Sequence, residues 1–165
     1  IIVLDVSFSR LNGPLPELPS LVTTDRPLQV LNISSNQFGS EFPSATWKVM
    51  KNLIALNTSN NSFMGTYHLL FALVAIFGLL DLCYNRLSGD IPTALGDCSK
   101  LRVLKVGHNN LSGILPVEIF HTTSLEYLSI PNNGLQGELD GAQMVKLSNL
   151  AILDLGGNPI SGNIP

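Results

Sequence analysis

A phrase of about 24 residues, of the form L-x-x-L-x-L-x-x-N-x-L-x-G-x-I-P, is written seven times along this chain of 165 residues. The cleanest copy, LRVLKVGHNNLSGILP, spans 101–116, and aligned copies begin at Ile1, Leu28, Leu53, Phe77, Leu125 and Leu150. A unit this short cannot bury its apolar side alone, so its stability has to come from stacking copy on copy. Within each copy the L-x-L core alternates apolar with variable: Leu104 and Val106 point inward and Lys105 outward, as a strand requires. Stacked strands then build one parallel sheet whose outward residues stand in columns.

That leucine and asparagine pattern at that period is the signature of a leucine-rich-repeat solenoid. The expected fold is α/β: a curved right-handed coil with a parallel concave β-sheet and a 3-10 or loop convex side, about seven repeats forming a single domain over 1–165. Asn36, Asn61, Asn85, Asn109, Asn133 and Asn158 sit where the chain turns away from the strand. Their short amides can satisfy backbone groups that stacking would leave buried and unpaired. Gly89, Gly113, Gly137 and Gly162 allow unusual φ or close approach, and the prolines that follow fix φ. A role repeated in every turn is structural.

A net charge of −3 with nine Lys and Arg argues against nucleic acid or an anionic membrane surface as partner. The longest apolar run, LLFALVAIFGLL over 69–80, is shorter than the roughly 18 to 20 residues that a membrane-crossing helix needs. The chain opens inside a repeat and stops as a repeat reaches its Ile-Pro. It therefore reads as an internal piece of a longer protein, with no caps, membrane span or kinase domain of its own.

The G-x-I-P ending resembles the plant-specific class of leucine-rich repeats. The phrases LNISSN (31–36), WKVMKNLIALNTSNNSF (47–63) and LGDCSKLRVLKVGHNNLSG (95–113) are similar to ectodomains of the phytosulfokine and tyrosine-sulfated-glycopeptide receptor group, wording also shared by plant receptor-like proteins that lack a kinase. The resemblance implies a ligand-recognition surface on the extracellular side of the plasma membrane. It further implies a peptide ligand or co-receptor as partner, and a signal relayed through a membrane span elsewhere. In that receptor group the peptide site lies nearer the membrane and uses an island between repeats, which these residues lack.

Several positions depart from the pattern. Ser9 replaces the first ladder asparagine, Ser40 replaces a turn glycine, and Thr58 stands at an inward apolar position. Tyr67-His68 replaces Ile-Pro, Asp140 stands where proline is expected, and about one extra residue precedes Leu150. Against the template of the next repeat, Leu70, Leu73 and Ile76 should face outward, as a drifted repeat or as a hydrophobic partner surface.

The outward column of the concave strands reads Asp5, Asn32, Asn57, Asp81, Lys105, Ser129 and Asp154, with Phe8, Ser35, Asn60, Tyr84, His108, Asn132 and Tyr127 in flanking columns. Such a mix suits a peptide: rings supply contact area, while amides and charges fix register. The expected ligand-binding residues are Asp81, Tyr84, Lys105, His108, Tyr127, Asn132 and Asp154. Among them Lys105, His108 and Tyr127 form a cationic and aromatic group suited to an acidic or sulfated peptide.

Four N-x-[ST] sequons, at Asn32, Asn57, Asn60 and Asn110, are candidate glycan acceptors on a secretory route. Cys83 and Cys98 fall on opposite sides of one coil and are expected to be free thiols. No phosphate-binding loop, kinase motif, H-E-x-x-H or G-x-S-x-G occurs, and the three histidines lack metal-ligand spacing. The sequence thus points to a non-catalytic recognition segment without cofactor or metal, serving peptide-hormone or defence signalling. Two rival readings are a secreted inhibitor of a cell-wall-degrading enzyme and the ectodomain of a parent serine/threonine receptor kinase.

Overall fold

The computed structural model describes residues 1–16, 28–43, 50–66 and 77–163. In chain order the strands alternate between a main sheet and an outer layer: β1 (Val3–Asp5), β2 (Asn12–Gly13), β3 (Val30–Asn32), β4 (Gln37–Phe38), β5 (Ala55–Asn57), β6 (Met64–Thr66), β7 (Leu79–Asp81), β8 (Arg86–Asp90), β9 (Val103–Lys105), β10 (Asn110–Ser112), β11 (Tyr127–Ser129), β12 (Gly137–Leu139), β13 (Ile152–Asp154) and β14 (Ile160–Gly162). The seven odd-numbered strands form one sheet in the order β1-β3-β5-β7-β9-β11-β13. All its pairings are parallel, so the chain winds about six full turns between the first strand and the last. The register places Leu4, Leu31, Leu56, Leu80, Leu104, Leu128 and Leu153 side by side. This inward column is the spine of the core, with Leu56, Leu80, Leu104 and Leu128 fully buried.

Beneath the second apolar position of each L-x-L, Ile33, Leu82, Val106 and Ile130 are also buried. The exception is Thr58, which occupies this column at 0% exposure and whose Oγ1 has no hydrogen-bond partner among the described residues. The third repeat therefore carries a buried hydroxyl where its neighbours carry methyl groups. Aromatic rings pack in the core of the same repeats: the Phe42 and Phe63 rings stack with centroids 4.5 Å apart, and the Phe38 ring lies 6.2 Å from that of Phe63. Each such pair adds to area burial through offset ring contact.

The asparagines bind coil to coil. Asn109 Nδ2 donates to the Leu82 carbonyl of the preceding coil at 3.0 Å and to its own coil's Val106 and Gly107 carbonyls, while its Oδ1 accepts from Leu87 N–H at 3.0 Å. Asn36, Asn61, Asn85, Asn133 and Asn158 repeat the arrangement, each donating to the coil before it and accepting an N–H from that coil. One side chain thereby satisfies part-buried backbone groups of two coils.

The outer layer is broken into three pieces, β2-β4, β6-β8-β10 and β12-β14. The break between β4 and β6 falls at Ser40. Glycine at the equivalent turn position elsewhere takes a positive φ, as at Gly65, Gly89 and Gly113, whereas Ser40 does not, and only a single bridge, Glu41 to Met64, continues the pairing. A single bridge, Ile114 to Gln136, likewise links β10 to β12, where Gly113 and Gly137 keep positive φ, so the outer layer is interrupted with and without glycine at this turn.

The convex side carries 3-10 helices at Thr93–Asp97 and Val117–His121. The seventh strand is reached differently. Asp140, at the expected proline position, caps a short α-helix, α1 (Gly141–Met144), by accepting from Ala142 N–H at 2.9 Å. The convex side is thus not purely 3-10 and loop, and a helical turn uses more residues than the tighter 3-10 turn. Tyr67-His68 and the outward-facing Leu70, Leu73 and Ile76 expected from the sequence lie outside the described residues. Among the described residues no helix is long and apolar enough to cross a membrane.

Candidate functional site on the concave face

Asp5, Asn32, Asn57, Asp81, Lys105, Ser129 and Asp154 stand in register across the seven strands as one outward column. Where that position holds Asp or Asn, the side chain folds back on its own turn. Asp5, Asn32, Asn57, Asp81 and Asp154 each accept, through Oδ1, the N–H two residues ahead, at 2.9 to 3.2 Å. This Asx turn fixes the side chain and leaves the second oxygen or the amide nitrogen facing outward. Asp5 uses its second oxygen to accept from Asn32 Nδ2 at 3.0 Å. The Ser7 hydroxyl and N–H and the Asn32 amide hold its carboxyl below the usual range.

Lys105 has no acceptor oxygen and cannot make this turn. Its ammonium instead lies 4.7 Å from the centre of the Tyr127 ring on the adjacent strand, a cation–π contact. Ser129, expected on the open face, is a correction: it is only 7% exposed. Its short hydroxyl sits between longer neighbours and donates to Asp154 Oδ2 at 3.4 Å. The charged part of the column therefore reads acid, base, gap, acid, from Asp81 through Lys105 to Asp154.

The flanking column expected from the sequence has a backbone conformation that went unread there. Phe8, Ser35, Asn60, Tyr84, His108 and Asn132, each immediately before the ladder position, have φ between +52° and +55°, and Gly157 takes the seventh place at +71°. Left-handed backbone is costly for residues with a Cβ, so it persists only where the surrounding structure imposes it. Here the next residue is a ladder asparagine bonded to two coils, and the turn must reverse direction within two residues. The sequence signal was present but faint: Asn60, Asn132 and Gly157 are residue types that tolerate this region. The conformation lifts these side chains off the sheet in a row. Tyr84 and His108 stack face to face, centroids 4.1 Å apart and planes 9° from parallel. Asn132 Nδ2 lies 3.3 Å from His108 Nε2, and Asn60 Nδ2 donates to Ser35 Oγ at 3.2 Å.

The structure brings together most of the residues singled out from sequence. Asp81, Tyr84, Lys105, His108, Tyr127 and Asp154 line one shallow depression with Ser59, Cys83, Ser129 and Pro131. Asn132 joins it through His108. Lys105 and Tyr127 form one couple and Tyr84 and His108 another, rather than the three-membered cluster of Lys105, His108 and Tyr127. A larger open concavity beside α1, lined by Glu138, Leu139, Asp140, Gly141, Ala142, Val145 and Asn163, lies apart from the concave columns.

Cys83 lies half-buried at the edge of the depression and Cys98 is buried on the convex side, both free. Burial, and then the nearby Asp81 carboxylate, push the Cys83 thiol up to about 12; burial and Asp97 do the same for Cys98. Neither is a nucleophile at neutral pH. At the rim, Arg102 and Glu126 form a two-pronged ion pair at 2.8 and 2.9 Å, which lowers the Glu126 carboxyl and raises the Arg102 guanidinium. Both are exposed, so the pair orders the rim more than it stabilises the fold. Among the described residues no group of three or more His, Cys, Asp and Glu is placed to hold a metal.

A parallel sheet of this register, with an asparagine ladder behind it and an open face in front, defines a leucine-rich-repeat solenoid. The chain carries that repeat: leucine-rich-repeat models match residues 79–135, and 27–48 with 149–165. It is homologous to receptor-like proteins of Arabidopsis thaliana. It is 37% identical over 65 residues to Receptor like protein 21, covering 39% of this chain and 6% of that protein. It is 33% identical over 106 residues to Receptor-like protein 47, covering 61% of this chain and 12% of that protein. It also superimposes on plant receptor ectodomains. The leucine-rich-repeat ectodomain of the Arabidopsis membrane receptor kinase GASSHO1/SCHENGEN3, solved with CASPARIAN STRIP INTEGRITY FACTOR 2, matches with a TM-score of 0.86 and 32% identity, over 98% of this chain and 19% of that one. The ectodomain of the Arabidopsis receptor kinase HAESA, solved with an extended IDA peptide hormone, gives the same score and identity over 98% and 26%. The chain spans a small part of each of these relatives.

Proposed function

We propose that this chain is a non-catalytic recognition segment of a plant cell-surface receptor ectodomain, holding a peptide or a co-receptor against its concave face outside the cell. The single observation that supports this most is the pairing of two couples in one depression: a lysine held on a tyrosine ring across two strands, and a flat tyrosine–histidine stack on the left-handed turns that follow the strands. Rings held in place lose little freedom on binding, so their contact area converts efficiently to affinity. Lys105 offers the depression's cationic head, flanked by Asp81 and Asp154, an arrangement that fixes where an anionic group sits and in which register. The similar ectodomains that were solved with peptides lend the reading support, because their repeats share this fold at 32% identity.

Within this reading, the wording shared with the phytosulfokine and tyrosine-sulfated-glycopeptide receptors makes a peptide bearing an acidic or sulfated residue the favoured ligand class. Asp81, Tyr84, Lys105, His108, Tyr127, Asn132 and Asp154 are its proposed contacts. The parent protein is either a receptor-like protein or a receptor kinase, a question the flanking reading frame answers directly.

The test is titration calorimetry on the full ectodomain with a tyrosine-sulfated peptide and its unsulfated form as probes. Lys105→Glu is expected to weaken the sulfated peptide at least tenfold and to leave the unsulfated one nearly unchanged. A difference confined to low salt fits an exposed charge contact, since screening acts within roughly 10 Å at about 0.1 M. Equal affinities for both peptides in both proteins would overturn the proposed site and reduce this segment to a spacer that sets the reach of the receptor.

A further inference from the structure

Four sequons look alike in the sequence, and the fold separates them. Asn32 is half-buried on β3 with both ends of its amide engaged: Nδ2 donates to Asp5 Oδ2 and Oδ1 accepts from Ser34 N–H. Asn57 is half-buried on β5, its Oδ1 held by Ser59 N–H. Asn60 is exposed but sits in the left-handed column with its Nδ2 bonded to Ser35 Oγ. A sugar on any of these three nitrogens would stand on the concave face, and on Asn32 or Asn60 it would crowd a nitrogen that bonds the neighbouring coil.

Asn110 differs in layer and in bonding. It is exposed on β10, in the outer layer, and its side-chain amide has no hydrogen-bond partner among the described residues. In the next coil the residue after the ladder asparagine is Gly134, which has no side chain to crowd it. The sequon hydroxyl, Ser112 Oγ, is itself exposed and donates to Asp90 Oδ1 at 2.9 Å once the chain has folded. A glycan at Asn110 would therefore project away from the concave columns and disturb no contact of the fold.

We infer that Asn110 is the N-linked glycan acceptor of this solenoid and that Asn32 is left bare in the folded protein, so that sugar covers the outer layer while the concave face stays open to a ligand. The inference rests on the extracellular reading above, because the donor is met only in the secretory route. In the step itself, Asn110 Nδ2 forms a bond to the anomeric carbon of an oligosaccharide carried on a lipid pyrophosphate. The carbon–oxygen bond to the pyrophosphate breaks, the lipid pyrophosphate leaves with the electron pair, and the nitrogen loses one proton.

The test routes the full parent chain into the secretory pathway of eukaryotic cells behind an added signal peptide. Exported and retained pools are both treated with peptide N-glycosidase in heavy-oxygen water and mapped by mass spectrometry. The expected result is heavy aspartate at position 110 in most molecules and unmodified Asn32 in the exported pool. The Asn110→Gln chain should lose one glycan step on a gel, whereas the Asn32→Gln chain should run as the parent does. Asn110 found bare in both pools, or Asn32 found occupied in most exported molecules, would overturn the inference. The extracellular reading is checked separately, by whether the untagged parent in its own tissue is cut by protease added outside intact cells.

Discussion

Asn109 Oδ1 accepts the Leu87 N–H of the preceding coil at 3.0 Å, from a side chain whose nitrogen is shared among three carbonyls. Replacing Asn109 with Leu keeps the branching at Cγ and removes all four contacts, stranding backbone groups of two coils. The expected loss is about 1 to 3 kcal/mol in denaturant unfolding of the full ectodomain. Lys105→Ala, which removes only a half-buried cation–π contact on the same coil, should cost about 0.5 to 1 kcal/mol at most. Equal losses for the two variants would mean that the ladder is not what joins the coils.

Thr58 gives the opposite sign. Its hydroxyl is fully buried with no partner among the described residues, while neighbouring coils place Ile33 and Leu82 in the same column. Thr58→Val keeps the shape and removes the orphan group, and is expected to stabilise by about 1 kcal/mol. A destabilised Thr58→Val protein, seen as a lower denaturant midpoint, would reveal a partner for that hydroxyl.

The columns were legible because a period of two within the strand and about 24 between strands fixes inward and outward positions. Leu104, Val106 and Lys105 lie as that reading requires, and so do the six ladder asparagines. What the pattern could not convey is side-chain direction within the face. Lys105 turns to Tyr127 because it lacks the acceptor that folds Asp81 and Asp154 back on their turns, and Ser129 is shaded because its neighbours are longer. The left-handed φ of Tyr84 and His108 is set by the asparagine that follows each of them, a constraint that no residue-by-residue propensity for Tyr or His contains. Asp140 was legible as a departure, but that it would cap a helix rather than merely replace a proline needed the chain after it.

The two thiols make a statement about pH. Folding raises Cys83 and Cys98 from 9.0 to about 12, so between those values the unfolded chain has released protons that the folded chain retains. Stability from this source is complete below about pH 9 and falls as pH rises toward 12, because the unfolded state then binds fewer protons. Native protein at pH 8 should react with a thiol-specific disulfide reagent far more slowly than denatured protein does. Rapid labelling of Cys83 without unfolding would show that its burial beside Asp81 is wrong.

The convex side is tested by two glycines with ordinary φ. Gly96 lies in the 3-10 helix Thr93–Asp97, where an added Cβ would come within 2.6 Å of the Glu118 carbonyl oxygen in the next coil. Backbone on one side and a regular helix on the other leave little room to yield, so Gly96→Ala should push the two coils apart and destabilise by about 1 to 3 kcal/mol. Gly78, at the entry to β7, has its nearest such atom at 3.7 Å, an ordinary contact. There the reduced freedom of the unfolded chain should prevail, and Gly78→Ala should be neutral or stabilising by up to about 1 kcal/mol. Parallel melting curves of the two variants decide the matter. If Gly96→Ala melts no lower than Gly78→Ala, the convex helices do not pack at the separation that the stacked 3-10 turns require, and the spacing of the concave columns, which follows from it, must be redrawn.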